Sequence, residues 1–294
     1  MGIFSIFSSA RAKPSQEKVK YEPFVRDGYE SKTLREGGDE IVITCYKTSE
    51  TDVVFPSHID GKAVRVIGAE VCLNRSDIES VTIPDGVMSI GADAFASCLR
   101  LQNITLPVGL MHIGDGAFSD CSRLTSITIP ESVASIEDNA FNGCHALREV
   151  VFLGGVARIG KWAFSDCINL TSVTIPGSVS SIEEWTFFSC GALRSVIFLD
   201  GVKRIEGTAF ADCDSLQWIA LPRSVTHIDE DAFGTCKRLE AIYYEGSEED
   251  WNKLVIGADN LPFLSARRYY YSETEQPNSS RHWHYVDGVP TPWN

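Results

Sequence analysis

The amino-acid sequence predicts an α/β repeat solenoid that is mostly β, and three observations support this prediction. A phenylalanine recurs every 23 residues with no insertion or deletion, and a cysteine follows each one three residues later. The pairs are Phe95 and Cys98, Phe118 and Cys121, Phe141 and Cys144, Phe164 and Cys167, Phe187 and Cys190, Phe210 and Cys213, and Phe233 and Cys236. Each unit also contains a short run of alternating β-branched residues, as in residues 125–129. A fixed period of this length indicates stacked units, because one unit alone cannot bury its apolar side.

Composition and charge narrow the classes of function. Hydrophobic residues make up 44% of the 294-residue chain, which is enough for a continuous core. The formal net charge of −14 argues against a nucleic-acid partner, because an extended footprint on nucleic acid needs clustered Lys and Arg. No apolar run approaches the roughly 20 residues of a membrane span. We therefore predict neither a nucleic-acid partner nor a transmembrane segment.

Residues 1–38 are predicted to form an N-terminal arm and lead-in. The apolar start, residues 1–7, is too short for a secretory signal, and no basic residue precedes it. A mildly basic stretch follows, with Arg11, Lys13, Lys18 and Lys20. We expect a frayed terminus here, with a binding arm as the alternative. The lack of a recognisable signal by itself favours a cytoplasmic location.

Residues 39–77 are predicted to form an N-terminal cap and a degenerate first repeat. Residues 53–56 resemble the strand of the later units. In the same register Val71 and Cys72 replace the Ala-Phe pair, and Arg75 replaces the cysteine. Such departures are expected, because a terminal repeat must face water on one side.

Residues 78–245 are predicted to form the regular array. With Leu124 as position 1 of its unit, positions 1, 4, 6, 10, 13, 17, 18 and 21 are apolar or small and should point inward. Positions 2 to 6 should form one strand of a parallel sheet, which Pro130 ends because it lacks an N–H group. Position 14 is glycine in three units, which predicts a turn with unusual backbone angles. These glycines are Gly91, Gly114 and Gly160.

The repeat L-x-x-I-x-I-P-x-x-V-x-x-I-x-x-x-A-F-x-x-C resembles the BspA-like class of bacterial leucine-rich repeats over roughly residues 53–245. The resemblance implies a right-handed superhelix with a parallel sheet on one face and a C-terminal cap. Members are often found on cell surfaces and bind proteins or host surfaces, so it also implies an adhesin-like or scaffold role. It implies no catalytic residue and no cofactor. It favours the cell surface or secretion, whereas the missing signal favours the cytoplasm.

The cysteines and histidines do not predict a catalytic or metal centre. The seven repeat cysteines form a line with one per turn and no histidine in register, whereas a metal site needs convergent ligands and a catalytic thiol needs a neighbouring base. Disulfides between turns are conceivable, but the total of nine cysteines is odd. We interpret the line as small buried thiols that fill the core. His282 and His284 form the one close histidine pair, and no third ligand accompanies them.

Most of the outward face of the predicted sheet is a smooth Ser/Thr surface, and its large apolar exceptions gather late in the array. Strand position 5 is Thr in four of eight units and becomes Ile197 and Tyr243 late in the array, and position 3 is Ser in four of eight units and becomes Trp218. Exposed aromatic residues grouped on a sheet are typical of a partner surface. We therefore predict that these three residues mark the primary binding patch. The alternative is that the C-terminal segment folds over them as a cap.

Trp162 and Trp185 occupy position 16 in adjacent units. They should lie close together on the outer side of the solenoid, away from the sheet. Paired indoles can stack on a sugar or on a protein loop. The alternative is local packing of the two rings over a turn.

The C-terminal part is predicted to close the array. Residues 246–272 should form a helical and strand cap, because Ser247 and Asp250 have the spacing of a capping box. Residues 273–294 should form a linker and an aromatic segment, in which Asp287 and Gly288 offer a hairpin turn. A docking peptide for a partner is the alternative for this last segment.

These observations together predict a non-catalytic leucine-rich repeat module that binds a protein partner. A carbohydrate-binding surface module is the alternative, because aromatic residues and a Thr-rich face also suit a glycan. We predict no cofactor, no metal ion and no enzymatic activity, and the sequence does not indicate an oligomeric state.

Overall fold

The computed structural model describes residues 24–26, 28–33, 39–275 and 280–293. The predicted basic arm, with Arg11 to Lys20, and residues 276–279 of the predicted linker lie outside these residues. The described chain forms a solenoid in which two ladders of short strands enclose one continuous apolar core. The predicted mostly β repeat solenoid is therefore confirmed.

The N-terminal strands add an antiparallel hairpin to the solenoid. They are β1 (Phe24–Arg26), β2 (Tyr29–Thr33), β3 (Glu40–Tyr46), β4 (Asp52–Val54), β5 (His58–Ile59) and β6 (Lys62–Ile67). β3 pairs with β2 antiparallel and with β6 parallel, so the hairpin extends one ladder of the array. Phe55 packs between Tyr46 and Phe95, with ring centroids 6.0 Å apart in both contacts. This aromatic cluster closes the N-terminal end of the core.

The regular array contains fifteen of the described strands, two per turn. They are β7 (Ser80–Thr82), β8 (Ser89–Ile90), β9 (Asn103–Thr105), β10 (His112–Ile113), β11 (Ser126–Ile129), β12 (Ser135–Ile136), β13 (Glu149–Phe152), β14 (Arg158–Ile159), β15 (Ser172–Ile175), β16 (Ser181–Ile182), β17 (Ser195–Phe198), β18 (Arg204–Ile205), β19 (Trp218–Leu221), β20 (His227–Ile228) and β21 (Ala241–Tyr244). The odd-numbered strands are the predicted ones and lie side by side in what we call the main ladder, whose strand pairing is interrupted after β9 and after β13. The even-numbered strands form a second ladder, interrupted after β14. Sequence reasoning missed this second ladder, because a two-residue strand leaves no alternating pattern.

The core of the array is a stack of phenylalanine rings. Consecutive rings from Phe95 to Phe233 are nearly parallel, with centroids 5.1 to 5.4 Å apart. All of them are fully buried, and each contributes on the order of 1.5–3 kcal/mol by leaving water. At the N-terminal end Cys72 takes the phenylalanine position, since its N–H donates to Ala94 O just as the N–H of Phe95 donates to Ala117 O. The predicted register of the first repeat is therefore correct.

The cysteine line has the structural role that we predicted, with one addition. All nine cysteines lie in the described part of the chain and are free, and the seven repeat cysteines are fully buried. Each repeat thiol donates a hydrogen bond to a carbonyl of the preceding turn, as Cys144 Sγ does to Phe118 O at 3.3 Å. Burial raises the pKa of the Cys98 thiol to about 12 and raises the pKa of the other repeat thiols as well. The thiols are therefore protonated and unreactive at neutral pH.

The prediction of unusual backbone angles at position 14 is wrong. Gly91, Gly114 and Gly160 do not have a positive φ. A Cβ atom there would instead lie within 3 Å of the backbone of the preceding turn, for example 2.5 Å from Ala69 N in the case of Gly91. These glycines therefore serve close packing between turns.

Left-handed backbone occurs instead at positions 16 and 20 of each turn. Position 16 is Asp93, Gly116, Asn139, Trp162, Trp185, Thr208 and Asp231, and position 20 is Ser97, Asp120, Gly143, Asp166, Ser189, Asp212 and Thr235. Glycine, Asn and Asp suit a positive φ because they lack a Cβ atom or bond to the local backbone. The two tryptophans are the aromatic exceptions.

Residues 247–271, which we call the closing turn, complete the solenoid. This turn does not keep the 23-residue spacing of the regular units. The elements are α1 (Glu248–Trp251), β22 (Val255–Ile256), α2 (Leu261–Ser265) and β23 (Arg267–Tyr271). β22 extends the second ladder and β23 extends the main ladder. The predicted capping box is confirmed, since Ser247 Oγ accepts from Asp250 N and Asp250 accepts from Ser247 N. Phe263 stacks on Phe233 at 5.3 Å, so it continues the phenylalanine stack.

The chain ends in a C-terminal hairpin, β24 (His282–Val286) and β25 (Val289–Pro292). Asp287 and Gly288 form its two-residue turn with φ of 50° and 76°, as a tight hairpin requires. β24 pairs parallel with β23, so the hairpin is attached to the main ladder. The predicted hairpin is therefore confirmed.

Candidate functional site

Ile197, Trp218 and Tyr243, which we call the sheet-face patch, lie on three successive strands of the main ladder. Ile197 is paired with Ala220, and Ala220 with Tyr243, so these side chains form one row across β17, β19 and β21. Trp218 lies two residues before Ala220 on the same face, because side chains alternate along a strand. The ring centroids of Trp218 and Tyr243 are 5.7 Å apart in an edge-to-face contact. The structure thus brings the two aromatic rings together and places Ile197 on the strand next to that of Trp218.

The patch forms a continuous apolar surface on top of the sheet. Ile197, Trp218 and Tyr243 are half-buried. Ala220 belongs to the same outward row but is only 1% exposed, since its larger neighbours cover it. Earlier in the array the equivalent row presents exposed Thr105, Thr128 and Thr174, with Val151, 36% exposed, between the last two. From Ile197 onward the row has only apolar and aromatic side chains.

Aromatic residues of the C-terminal part extend this surface, and the sequence-based prediction did not include them. Tyr269 stacks on Tyr243 with centroids 5.2 Å apart, and Trp283 contacts Tyr243 edge-to-face at 5.6 Å. Trp283 in turn contacts Tyr271 and Tyr285 at 5.2 and 4.8 Å. The sequence contained a signal for part of this extension. Tyr269 and Tyr271 are two residues apart in a predicted strand, so their side chains point to the same face of the sheet.

Trp283 is buried outside the main core. It is fully inaccessible to solvent but does not belong to the core cluster that runs through the solenoid. Its Nε1–H donates to Tyr244 O at 3.0 Å, which satisfies the indole. The hairpin therefore covers the Tyr243 end of the sheet-face patch, as the capping alternative requires. Ile197 and Trp218 keep part of their surface in solvent.

A hydrogen bond between two side chains also fixes the hairpin beside the patch. Tyr285 Oη donates to Glu245 Oε1 at 2.8 Å. Burial raises the pKa of Glu245, although the hydrogen bond from Tyr285 partly opposes that rise. Burial and the acceptor Glu245 also raise the pKa of Tyr285 well above its usual range, so the phenol remains a donor at any physiological pH.

Trp162, Trp185 and Phe188, which we call the indole stack, form a second cluster on the outer turns. The two indoles are parallel within 4° and their centroids are 4.6 Å apart, which confirms the predicted proximity. Phe188 contacts both edge-on, at 6.0 and 4.9 Å. All three rings are half-buried. Trp162 and Trp185 have φ of 60° and 64°, and a left-handed backbone costs a bulky residue roughly 1–2 kcal/mol.

Ion pairs connect charged residues that lie near the two indoles in the chain. Arg158 forms ion pairs with Glu137, Asp138 and Glu183, and Lys161 Nζ lies 2.7 Å from Glu184 Oε2. Burial raises the pKa of Glu183, while the charge of Arg158 partly opposes that rise. At positions 14 and 15 of these turns the acidic side chains outnumber the basic ones.

One group of side chains has the composition of a catalytic triad but the wrong geometry. His112 Nδ1 lies 2.8 Å from Ser135 Oγ and 3.5 Å from Glu137 Oε1. A triad needs the hydroxyl and the carboxylate on different ring nitrogens, so that the imidazole relays a proton between them. Here both contacts converge on the same nitrogen, and burial lowers the pKa of His112. The arrangement is therefore not that of a catalytic triad.

The described residues contain no group of three or more His, Cys, Asp or Glu side chains that is placed to hold a metal ion. Within the same residues, neither helix has the length and apolar character needed to span a bilayer.

The geometry of the repeats agrees with the similarity to known proteins. The BspA type leucine rich repeat region matches this chain in six copies, over residues 65–192 and 135–255. A leucine-rich repeat protein from Bacteroides ovatus is 24% identical with a TM-score of 0.60, and the match covers 84% of this chain and 70% of that one. The T. pallidum leucine-rich repeat protein is 28% identical with a TM-score of 0.53, and the match covers 74% of this chain and 91% of that one. No curated protein shows significant sequence similarity to the chain. The chain belongs to the BspA-type leucine-rich repeat family.

Proposed function

We propose that this protein is a non-catalytic module that binds another protein through the sheet-face patch. The observation that supports the proposal best is the edge-to-face pair of Trp218 and Tyr243, half-buried on a sheet face whose earlier strands present mainly Ser and Thr. Large aromatic side chains are enriched among the residues that dominate binding energy at protein interfaces. A local change from polar to apolar surface marks such an interface on a repeat solenoid.

The scaffold beneath the patch favours binding without rearrangement. Ile219, Leu221 and Ile242 anchor β19 and β21 in the fully buried core. The outward side chains are therefore held by strands that cannot shift without disrupting the phenylalanine stack. Such preorganisation lowers the entropy cost of forming an interface. It suits an adhesin-like or scaffold role, which is the role that we propose.

Site-specific photocrosslinking tests the proposal directly. A benzophenone amino acid replaces Trp218 in one variant and Thr128, on the polar part of the same face, in the control variant. We expect a discrete crosslinked partner band from position 218 and none from position 128 in extracts or cells of the source organism. Equal crosslinking at both positions would contradict the proposal. An undiminished band from position 218 after the additional change Tyr243→Ala would contradict it as well.

A carbohydrate ligand is the second candidate, because the exposed hydroxyl groups of Thr128 and Thr174 lie on the same face as Trp218. A glycan array separates the two candidates. Binding of a defined glycan that is lost in Trp218→Ala would favour a carbohydrate-binding module. A negative array together with a crosslinked protein at position 218 would favour protein binding.

The place of action is a separate part of the proposal. An adhesin-like role requires exposure on the cell, whereas a scaffold role does not. Protease treatment of intact source cells, followed by detection of this chain, distinguishes them. Cleavage on intact cells supports the adhesin-like role, and protection until lysis supports an internal scaffold.

A further inference from the structure

The indole stack has an unusual place in the repeat. At position 16 the other turns of the array have Asp, Asn, Gly or Thr, all in left-handed backbone. Trp162 and Trp185 adopt the same backbone with far larger side chains. Bulky residues with positive φ concentrate where function requires a particular side-chain direction. Core packing does not account for them, because neither indole belongs to the core cluster.

Both ends of the indole stack border short side chains. The turn before Trp162 has Asn139 at the same position, and the turn after Trp185 has Thr208. Asn139 Nδ2 donates to Asp115 Oδ1 at 3.3 Å, in the turn that lies farther from Trp162. No third ring therefore continues the stack in either flanking turn, and we call the places beside the outer indole faces, over Asn139 and Thr208, the two slots. A flat group is the shape that extends such a stack.

The charges around these slots are mainly negative. In the turns of the two indoles and of the two flanking residues, positions 14 and 15 carry five acidic residues and one basic residue, Lys161. The acidic residues are Glu137, Asp138, Glu183, Glu184 and Glu206. Arg158 is the second cationic group in contact with them. Carboxylates therefore remain in excess after every observed ion pair is counted. Glu206 accepts a hydrogen bond from Ser181 Oγ at 3.0 Å and has no basic partner among the described ion pairs.

We propose that the indole stack is a binding site for an arginine side chain of a protein partner. The guanidinium group is planar, stacks on indole faces and forms paired hydrogen bonds with carboxylates. It therefore matches the slot, the ring faces and the charge together. A neutral sugar would use the ring faces but not the excess of negative charge. This site uses a different position of the repeat from the sheet-face patch, so either proposal can fail without the other.

Titration of the full-length protein with short peptides tests the site. The probes are acetyl-Gly-Arg-Gly-amide and the same peptide with citrulline, which keeps the shape and loses the charge, or with lysine, which keeps the charge and loses the plane. NMR of the indole N–H groups at low salt reports on each tryptophan. We expect the arginine peptide to shift the Trp162 and Trp185 signals and to bind at least tenfold more tightly than the citrulline peptide. The lysine peptide should bind with intermediate affinity.

Two sets of variants make the result decisive. Trp162→Asn with Trp185→Asn introduces the residue that Asn139 already provides at this backbone position, so the fold should persist. Glu206→Gln keeps both indoles and removes one carboxylate. We expect the double variant to lose the arginine response and Glu206→Gln to weaken it at least threefold, while Trp218→Ala leaves it unchanged. Equal binding of arginine and citrulline peptides, or an unchanged response in Glu206→Gln, would overturn the proposal.

Discussion

The regular array and the closing turn build the same core from different sequences. In the array, Phe210 and Phe233 are separated by one 23-residue unit, and the spacing never varies. In the closing turn, Phe263 takes the next place in the stack although seven more residues separate it from Phe233. Ala266 follows three residues later and stands where each regular unit has cysteine. The solenoid therefore preserves positions in space, whereas the spacing along the chain is free to change.

The closing turn uses specific polar contacts where the array uses repetition. Asn260 is 1% exposed. Its Nδ2 donates to Asp229 O at 2.7 Å, and its Oδ1 accepts from Phe233 N at 3.0 Å. In the array the equivalent N–H group donates to the next turn, as Phe210 N does to Ala232 O at 2.8 Å. The Asn260 side chain therefore replaces this hydrogen bond of a missing regular turn, because buried backbone groups need partners.

The largest expected difference between the two regions appears at alkaline pH. Eight buried thiols, all in or before the array, have a raised pKa in the folded state. The unfolded chain releases these protons above a pKa of about 8.5, so stability is fully present below that pH and falls as pH rises. Each buried thiol should lower the free energy of unfolding by about 1.4 kcal/mol for every pH unit above that value. Urea unfolding at pH 8.0 and pH 9.5 measures the effect.

The control for the pH effect is a variant with Cys144→Ala and Cys167→Ala, whose stability should fall less steeply with pH. Thiol titration with a chromogenic disulfide gives an independent check. Cys45, which is half-buried, should react first, and the eight buried thiols only after unfolding. Equal stability at the two pH values would show that the buried thiols do not resist ionisation.

Replacement of one ring in the middle of the stack should be the most damaging single substitution. Phe164→Ala should destabilise the protein by about 3–5 kcal/mol, because rings on both sides prevent collapse of the cavity. Phe263→Ala, at the end of the stack, should cost less, because the closing turn can settle onto the space. Chemical denaturation compares the two, with Phe164→Leu as a volume control. A larger loss from Phe263→Ala would mean that the closing turn holds the array together.

Trp283→Ala should separate the C-terminal hairpin from the solenoid. The indole is buried outside the main core, so its removal should cost about 3 kcal/mol locally and leave the phenylalanine stack intact. Hydrogen exchange should accelerate at β24 and β25 and remain slow at β17 and β19. Trp251→Phe, in the closing turn, serves as a matched aromatic control. Uniformly faster exchange along the chain would show that the hairpin supports the whole solenoid.

The smallest expected effect concerns the backbone alone. Gly288 has a φ of 76° and open space where a Cβ atom would lie, and Gly191 has equally open space without a positive φ. Gly288→Ala should therefore destabilise the hairpin by about 1 kcal/mol, and Gly191→Ala should be neutral or slightly stabilising. Thermal unfolding of the two variants measures the difference. Equal effects would mean that the hairpin turn does not depend on left-handed backbone.

The sequence predicted the interior far better than the surfaces. The inward positions, the main ladder, the capping box and the hairpin turn were correct, because each depends on residues that are close in sequence or one period apart. The second ladder was missed because two-residue strands have no recognisable pattern. The role of Gly91 was misjudged, because the approach of the preceding turn to its backbone is a contact between turns. The contact of Trp283 with Tyr243 joins residues on either side of the closing turn, and no period connects them.

The sequence by itself determined the stacking of turns and the family, because every inward side chain meets an equivalent one that lies one unit away. A strict period therefore encodes spatial neighbours directly. Tertiary structure alone decided which outward aromatic rings meet, how far the C-terminal hairpin covers the sheet-face patch and how the two indoles of the stack align. Those contacts depend on the backbone angles of single residues and on the path of the closing turn. Neither repeats along the chain, so neither leaves a period from which it could be predicted.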